Sequence, residues 1–399
     1  KRLKTETTKI MYKIRTYNAI SSKGLSRFPT DSYQVSSEST DADGILLRSQ
    51  KLHTEVMPES VVAIARAGAG TNNIPVADYT DKGIVVFNTP GANANAVKEL
   101  IVAALLMGSR DIYGGMNYVQ GLTEITDSGE MGKLLEKEKK NFAGGEIQGK
   151  TLGVVGLGAI GSMIGNLALE LGMNVVGYDP AISVEAAWQL SSSVERMENL
   201  EALLACSDFI TLHVPAIAAT KHLINSKTLS GMKSTAKILN FAREEIVSSA
   251  DMVAALDAGV IAGYITDFPA PELLGRDDVL LMPHIGASTE EAEENCAVMA
   301  ANQLMDFLEN GNILNSVNYP KIKMSRNGGT RITFTNKNVP KVLGSVLSVL
   351  ADGEINIVDM VNKSRDEIAY NIIDIEGDLN DSLKDQIAAV EGVIHVRVI

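Results

Sequence analysis

Thr151-Leu152-Gly153-Val154-Val155-Gly156-Leu157-Gly158-Ala159-Ile160-Gly161 decides the architecture of this chain. Gly156, Gly158 and Gly161 stand in the spacing G-x-G-x-x-G. The apolar run Thr151 to Val155 leads into them, and a helical pattern from Ser162 to Leu171 leads out. A second strand pattern, Asn174 to Tyr178, ends at Asp179. Glycine spacing alone is a common turn; with helix, second strand and acid in place it predicts a βαβ unit that holds a dinucleotide. Gly156 permits the tight turn, Gly158 lets a pyrophosphate approach the backbone, and Gly161 lets helix and strand pack closely. The free N–H groups at the helix start, Ala159 and Ile160 among them, would hold the phosphates. Asp179 can accept hydrogen bonds from ribose hydroxyls and would repel a 2′-phosphate, so NAD is favoured over NADP.

The bulk properties narrow the class. A chain of 399 residues has room for two to three domains. No stretch of 18 apolar residues occurs, so no membrane span is expected. A net charge of −13 argues against nucleic-acid binding. Cys206 and Cys296 lie far apart in apolar surroundings and read as core thiols of a cytoplasmic protein. No metal-ligand spacing is present. Lys1–Ile10 is polar and basic, carries no signal-peptide pattern, and precedes what reads as a natural start at Met11.

Outward from the glycine loop, the pattern predicts an α/β protein. Two Rossmann-like doubly wound parallel-sheet domains are followed by a smaller α+β domain. Ile45–Leu47, Val62–Ala65 and Ile84–Phe87 read as buried parallel strands, each followed by a turn. Ligands in such sheets bind past the carboxyl ends of strands. Arg48, Ser49, Arg66, Ala67, Gly68 and Asn93 are therefore candidate substrate contacts. Apolar helices at about 95–109 and 288–309 read as crossings between domains, and 121–150 as a solvated helix and loop. The expected division is 11–98 with 290–320 for substrate, 99–289 for the cofactor, and 329–399 for a third module. Pro320 to Gly329 reads as a polar linker. The third module shows a βαββαβ order, a ferredoxin-like plait without a catalytic-looking cluster.

Three polar residues at strand ends carry the expected chemistry: Arg243, Glu272 and His284. An arginine there offers a two-pronged clamp for a carboxylate. A histidine bonded to a carboxylate keeps its proton near neutral pH and can exchange it with a carbonyl or alcohol. Singly, each has a plainer reading, as a surface ion pair, a turn residue or a structural imidazole. His213, at another strand end, reads as structural or as lining the cofactor cleft. Together, behind a dinucleotide fold, the three point to catalysis.

In these segments the chain resembles the D-2-hydroxyacid dehydrogenases. Asn240 to Arg243 matches the family's N-x-x-R. Asp267 and Glu272 keep its five-residue Asp–Glu spacing, with Phe and Pro shifted by one place. Pro283 to Thr289 matches P-H-I-G-x-S-T, and Asn88 to Glu99 matches the family's helix-start pattern. The resemblance covers about 11–320. It implies Arg243 as carboxylate anchor, His284 as acid/base, Glu272 as its partner, and Asp267 as a contact of the nicotinamide carboxamide. His213, Val214, Pro215, Phe241, Ala242 and Gly286 would line the NAD.

The tail resembles an ACT domain, a small-molecule sensor. Asn338, Pro340, Val342, Leu343, Asn356 and Ile357 match its ligand turns, which implies an L-serine effector through Asn338 and Asn356. Two departures stand out: Lys341 replaces a usual glycine, and Asn336 stands where histidine is common. Arg48 and Arg66, with Lys51 near, would suit a phosphomonoester. With the tail, this implies 3-phosphoglycerate as substrate, a role in serine synthesis and a homo-oligomer. Two other readings stay open: a dehydrogenase for lactate, glycerate or a branched 2-hydroxy acid, and an NAD(H)-sensing co-regulator.

Overall fold

The computed structural model describes residues 11–327 and 329–399; the Lys1–Ile10 segment lies outside them. The chain folds as two compact units. Among the described residues, one comprises those up to Asn93 together with those from Glu290 to Ile399; the other is Ala94–Thr289. Helix Ala94–Ser109 thus belongs wholly to the second unit, and helix Glu290–Asn310 wholly to the first. No helix among the described residues is long and apolar enough to cross a membrane.

In the first unit, β1 (Tyr12–Thr16), β2 (Tyr33–Ser36), β3 (Gly44–Leu47), β4 (Ala63–Arg66) and β5 (Val85–Phe87) form a parallel sheet in the order β2-β1-β3-β4-β5. All four residues of β3 are buried, as a strand covered on both faces requires. In the second unit, β6 (Thr151–Val155), β7 (Asn174–Tyr178), β8 (Glu195–Arg196), β9 (Phe209–Leu212), β10 (Lys237–Asn240), β11 (Gly263–Thr266) and β12 (Val279–Leu281) form a seven-stranded sheet. Its order is β12-β11-β10-β9-β6-β7-β8, and every pairing is parallel. The order reverses between β6 and β9, which is where open α/β sheets bind ligands.

The tail forms β13 (Thr330–Lys337), β14 (Ile357–Arg365), β15 (Ile368–Ile375) and β16 (Val393–Val398). They pair antiparallel in the order β14-β15-β13-β16, the order of a ferredoxin-like plait. Helices Val342–Asp352 and Asp381–Ala388 cover one face, over Ile332, Phe334, Ile373 and Ile375. The other face is buried too. Ile368, Tyr370 and Ile372 join one core with Ile14, Leu46, Val85, Leu304 and Phe307 of the first sheet and the Glu290–Asn310 helix.

The stretch predicted as a polar linker is part of this packing. Ile313 and Ile322 bridge antiparallel, the Met324 N–H donates to Asn312 Oδ1 at 3.0 Å, and Ile322 and Met324 are buried. In Lys321-Ile322-Lys323-Met324 the lysines point one way and the apolar residues the other, a strand-like alternation that composition alone reads as polar.

Charged groups fasten the tail to the helix. Arg331 and Asp374 form a two-pronged ion pair at 2.6 and 2.8 Å, with side chains 0 % and 1 % exposed. Arg331 also donates to the carbonyls of Asn310, Met324 and Ser325. Arg397 donates to the carbonyls of Phe307 and Leu308, and its guanidinium lies 4.6 Å over the Phe307 ring. The Tyr370 hydroxyl donates to the Gly311 carbonyl. The last carbonyls of an α-helix lack internal partners and favour cations; here the tail supplies both. Arg331→Met leaves Asp374 buried and unpaired, and is expected to cost about 3–5 kcal/mol in urea denaturation. Adding Asp374→Leu should recover only part of that, because the three carbonyls remain unpaired.

Candidate active site

The glycine loop is built by steric exclusion. A Cβ on Gly161 would stand 1.9 Å from the Gly156 carbonyl oxygen. At Gly156, φ is +90°, and a Cβ would meet the His213 carbonyl oxygen at 2.7 Å. Gly158 differs: a Cβ there meets nothing within 4 Å, and its φ of −69° suits any residue. It is also the N-cap of helix Ala159–Glu170 and brings no side chain to cap it, so the first N–H groups face open space beside Ala159 and Ile160. An unfilled cradle over an uncapped helix start fits a pyrophosphate. Asp179 Oδ2 accepts from the Leu157 N–H at 2.8 Å and Oδ1 from the Ala181 N–H at 2.8 Å. The acid thereby ties the glycine loop to the end of β7, and each oxygen keeps a lone pair for a ribose hydroxyl.

His213 and Val214 border the same turn, since both would touch a side chain at Gly156. The His213 N–H donates to the Val155 carbonyl at 2.7 Å, and its Nε2 lies 2.9 Å from Thr211 Oγ1. Its Nδ1 is buried with no hydrogen-bond partner among the described residues. Burial pushes the imidazole down to about pH 3, so it stays neutral. Pro215 is exposed, Ala242 half-buried, and Phe241 sinks into the core with Leu239 and Ile265. Phe241 can thus meet a cofactor chiefly through its backbone.

Asn240 explains the N-x-x-R spacing. Its side chain donates from Nδ2 to the Arg243 carbonyl at 2.9 Å and accepts the Ala242 N–H at 3.2 Å, closing the turn that presents Arg243. Arg243 is exposed, and its Nη1 donates to the Ala242 carbonyl at 2.6 Å. Neighbouring β11 ends on Thr266, and Asp267 follows it. Asp267 is 2 % exposed and accepts the N–H groups of Ile285 and Gly286 at 2.8 and 2.7 Å. Both oxygens therefore grip the loop that carries His284. His284 has φ +55°, a left-handed backbone that turns the next N–H groups toward one anion. A Cβ on Gly286 would lie 3.0 Å from Asp267 Oδ2, so glycine keeps that grip close.

Arg243, Asp267 and His284 are thus held at adjoining strand ends of one unit. Glu272 is exposed in the turn Pro271–Leu273, and among the described residues no hydrogen bond or ion pair joins it to His284. Phe268 instead stacks against the His284 ring, with centroids 4.9 Å apart. The sequence reading gave this phenylalanine no role, although its shift beside Asp267 marked it.

In the first unit the candidate substrate residues also gather at strand ends. Arg66 donates from Nε to the Arg48 carbonyl at 3.0 Å and from Nη1 to the Gly70 carbonyl. Arg48 pairs with Glu293 at 2.5 Å. Asn18, which the sequence reading missed, accepts the N–H groups of Ser49 and Gln50 through Oδ1. The Ala67 N–H donates to the Leu47 carbonyl, the Thr89 N–H to the Gly68 carbonyl, and Asn93 is half-buried at the end of that last loop. The arginines thus bind the loops together as well as offering charge.

Comparison with known proteins places this geometry. Residues 114–286 match the family described as D-isomer specific 2-hydroxyacid dehydrogenase, NAD binding domain. The D-3-phosphoglycerate dehydrogenase of Escherichia coli (strain K12) is 32 % identical over 92 % of this chain and 90 % of that protein. The chain belongs to the D-isomer specific 2-hydroxyacid dehydrogenases. The D-3-phosphoglycerate dehydrogenase of Methanocaldococcus jannaschii is 35 % identical over 80 % of this chain and 60 % of that protein. A crystal structure of NAD+-bound 3-phosphoglycerate dehydrogenase from Entamoeba histolytica superimposes with a TM-score of 0.61. It is 27 % identical and covers 78 % of this chain and all of that one. This is an NAD-dependent dehydrogenase, and the glycine loop belongs to its NAD-binding domain.

Two outcomes follow from the loop and its border. Gly158→Ala should fold as the wild type yet lose NADH binding in a fluorescence titration, whereas Gly161→Ala should fail to fold, because only the second Cβ meets backbone. For His213, the unfolded chain takes up a proton near pH 6.5 that the folded chain refuses until about pH 3. Stability should therefore fall as pH drops through that window, and His213→Gln should flatten the fall in denaturation midpoints measured from pH 7 to 5.

Proposed function

We propose that this chain oxidises 3-phospho-D-glycerate to 3-phosphohydroxypyruvate, the entry reaction of L-serine synthesis. The observation that carries the chemistry is the setting of Arg243 and His284 at adjoining strand ends of the NAD-binding unit, on turns fixed by Asn240 and Asp267. Bound NAD supplies the hydride acceptor. Arg243 clamps the substrate carboxylate with two N–H groups. His284 takes the proton of the C2 hydroxyl onto an imidazole nitrogen and returns it in the reverse direction. Glu272 is the carboxylate proposed to bond His284 when substrate is present, as catalytic hydrogen bonds often tighten only then.

Support for the phosphate comes from the relatives' names and from Arg48 and Arg66 beside the loops of Ser49, Gly68 and Asn93. We assign 11–98 with 290–320 to substrate binding, 99–289 to the cofactor and 329–399 to an ACT-like module. The protein works in the cytoplasm in this reading, with Cys206 and Cys296 both unpaired. A homo-oligomer accords with helix Ile112–Gln120, which buries none of its residues and exposes Tyr113, Met116 and Val119. L-Serine is the effector proposed for the tail. Asn338 donates to the Asp366 carbonyl and Asn356 to Glu376, and each amide keeps its Oδ1 and a second N–H for a ligand. Lys341 holds φ +78° where glycine would bend freely, so inhibition should be weak.

NADH oxidation with 3-phosphohydroxypyruvate, pyruvate and hydroxypyruvate, with and without L-serine, checks the assignment. The phosphorylated acid should be preferred by kcat/KM. His284→Ala should lower kcat roughly 10²–10⁴-fold while NADH still binds. Equal use of unphosphorylated acids would remove the substrate assignment, and wild-type turnover by His284→Ala would remove the mechanism.

A further inference from the structure

His284 is held from two sides by two consecutive residues. Asp267 fixes its backbone through the Ile285 and Gly286 N–H groups. Phe268 meets its ring, with centroids 4.9 Å apart and planes tilted by 55°. That separation and tilt lie within the range in which aromatic rings attract. Among the described residues no hydrogen bond or ion pair engages the imidazole, and the Phe268 ring stands against it whether or not Glu272 has closed on it.

The backbone of Phe268 is itself well fixed. Its N–H donates to Thr266 Oγ1 at 3.1 Å, and Thr266 Oγ1 donates to the Asn240 carbonyl at 3.1 Å. Thr266 and Asn240 are both fully buried. Asn240 also closes the Arg243 turn, so one polar hub sets the base of both catalytic turns. Pro269 follows Phe268 and disfavours helical backbone at the residue before it, which narrows the directions open to the ring. In Asp267-Phe268-Pro269-Ala270-Pro271-Glu272 the phenylalanine directly follows the aspartate, one place from its position in the family pattern that the turn resembles.

We propose that Phe268 is a positioning residue for His284: its ring face sets the rotation of the imidazole that exchanges the substrate proton. This rests on His284 being the acid/base of the proposed reaction. Misplacing a reacting group by about 1 Å can cost on the order of a hundredfold in rate, so losing the ring should act on kcat.

Steady-state kinetics of Phe268→Val and Phe268→Tyr, with thermal denaturation and NADH fluorescence titration of each, test this. Phe268→Val is expected to lose roughly tenfold or more in kcat with its melting temperature and NADH affinity unchanged, and Phe268→Tyr to retain kcat because it keeps the ring. In a His284→Gln background, Phe268→Val should have no further effect, as expected of residues acting as a unit. Wild-type kcat in Phe268→Val overturns the proposal, as does a kcat loss that Phe268→Tyr shares or that comes with lost stability and NADH binding. An inactive His284→Gln beside a fully active Phe268→Val would leave the reaction standing and sink only this inference. An active His284→Gln would instead remove the reaction mechanism on which it rests.

Discussion

No side chain can stand at position 161, because the Gly156 carbonyl oxygen already occupies the space. That contact sets how closely helix Ala159–Glu170 lies on β6, and hence where its uncapped N-terminus opens. Asp179 fixes the same loop from the other side through the Leu157 N–H. Once this βαβ unit is in place, β9, β10 and β11 add in parallel on the far side of β6, and their carboxyl ends carry His213, Arg243 and Asp267. The chemistry of the second unit is thus assembled on a frame whose first constraint is the absence of one methyl group.

Each unit shapes its strand-end turns on the same plan. Amides and a carboxylate shape the turns, and cations and an imidazole stand on them. Asn240 closes the Arg243 turn, Asp267 closes the His284 loop, and Asn18 closes the Ser49 loop. Asn240 and Asp267 are buried, which gives them fixed geometry, and their hydrogen bonds offset its cost. The reactive groups themselves remain accessible to substrate.

Much of this was legible in the sequence. Strands Thr151–Val155 and Asn174–Tyr178 were readable to the residue, since buried parallel strands are continuous apolar runs bounded by glycine turns. Strands Tyr12–Thr16 and Tyr33–Ser36 were not, because their half-buried, mixed residues carry little periodic signal. The candidate site residues were visible as motif letters, but not the jobs of Asp267 and Phe268. Those depend on the left-handed backbone at His284, which no spacing encodes. The docking of the tail was hidden for a different reason. Tyr370 and Ile372 look like core residues of their own small sheet, and nothing local says that the core they complete belongs to a helix ending at Asn310.

The first unit is made from two segments far apart in the chain, and this orders events during synthesis. Strands β1 to β5 leave the ribosome early, but the helix that covers them begins at Glu290, and the arginines that close that helix lie at positions 331 and 397. Nearly 200 residues separate the two parts; at about 5–20 residues per second, that is a delay on the order of tens of seconds. During it, Ile14, Leu46 and Val85 have no partner helix, while the continuous second unit can already close. The nascent chain can therefore close its nucleotide-binding unit while the apolar sheet still lacks its covering helix, a state in which exposed apolar surface favours aggregation.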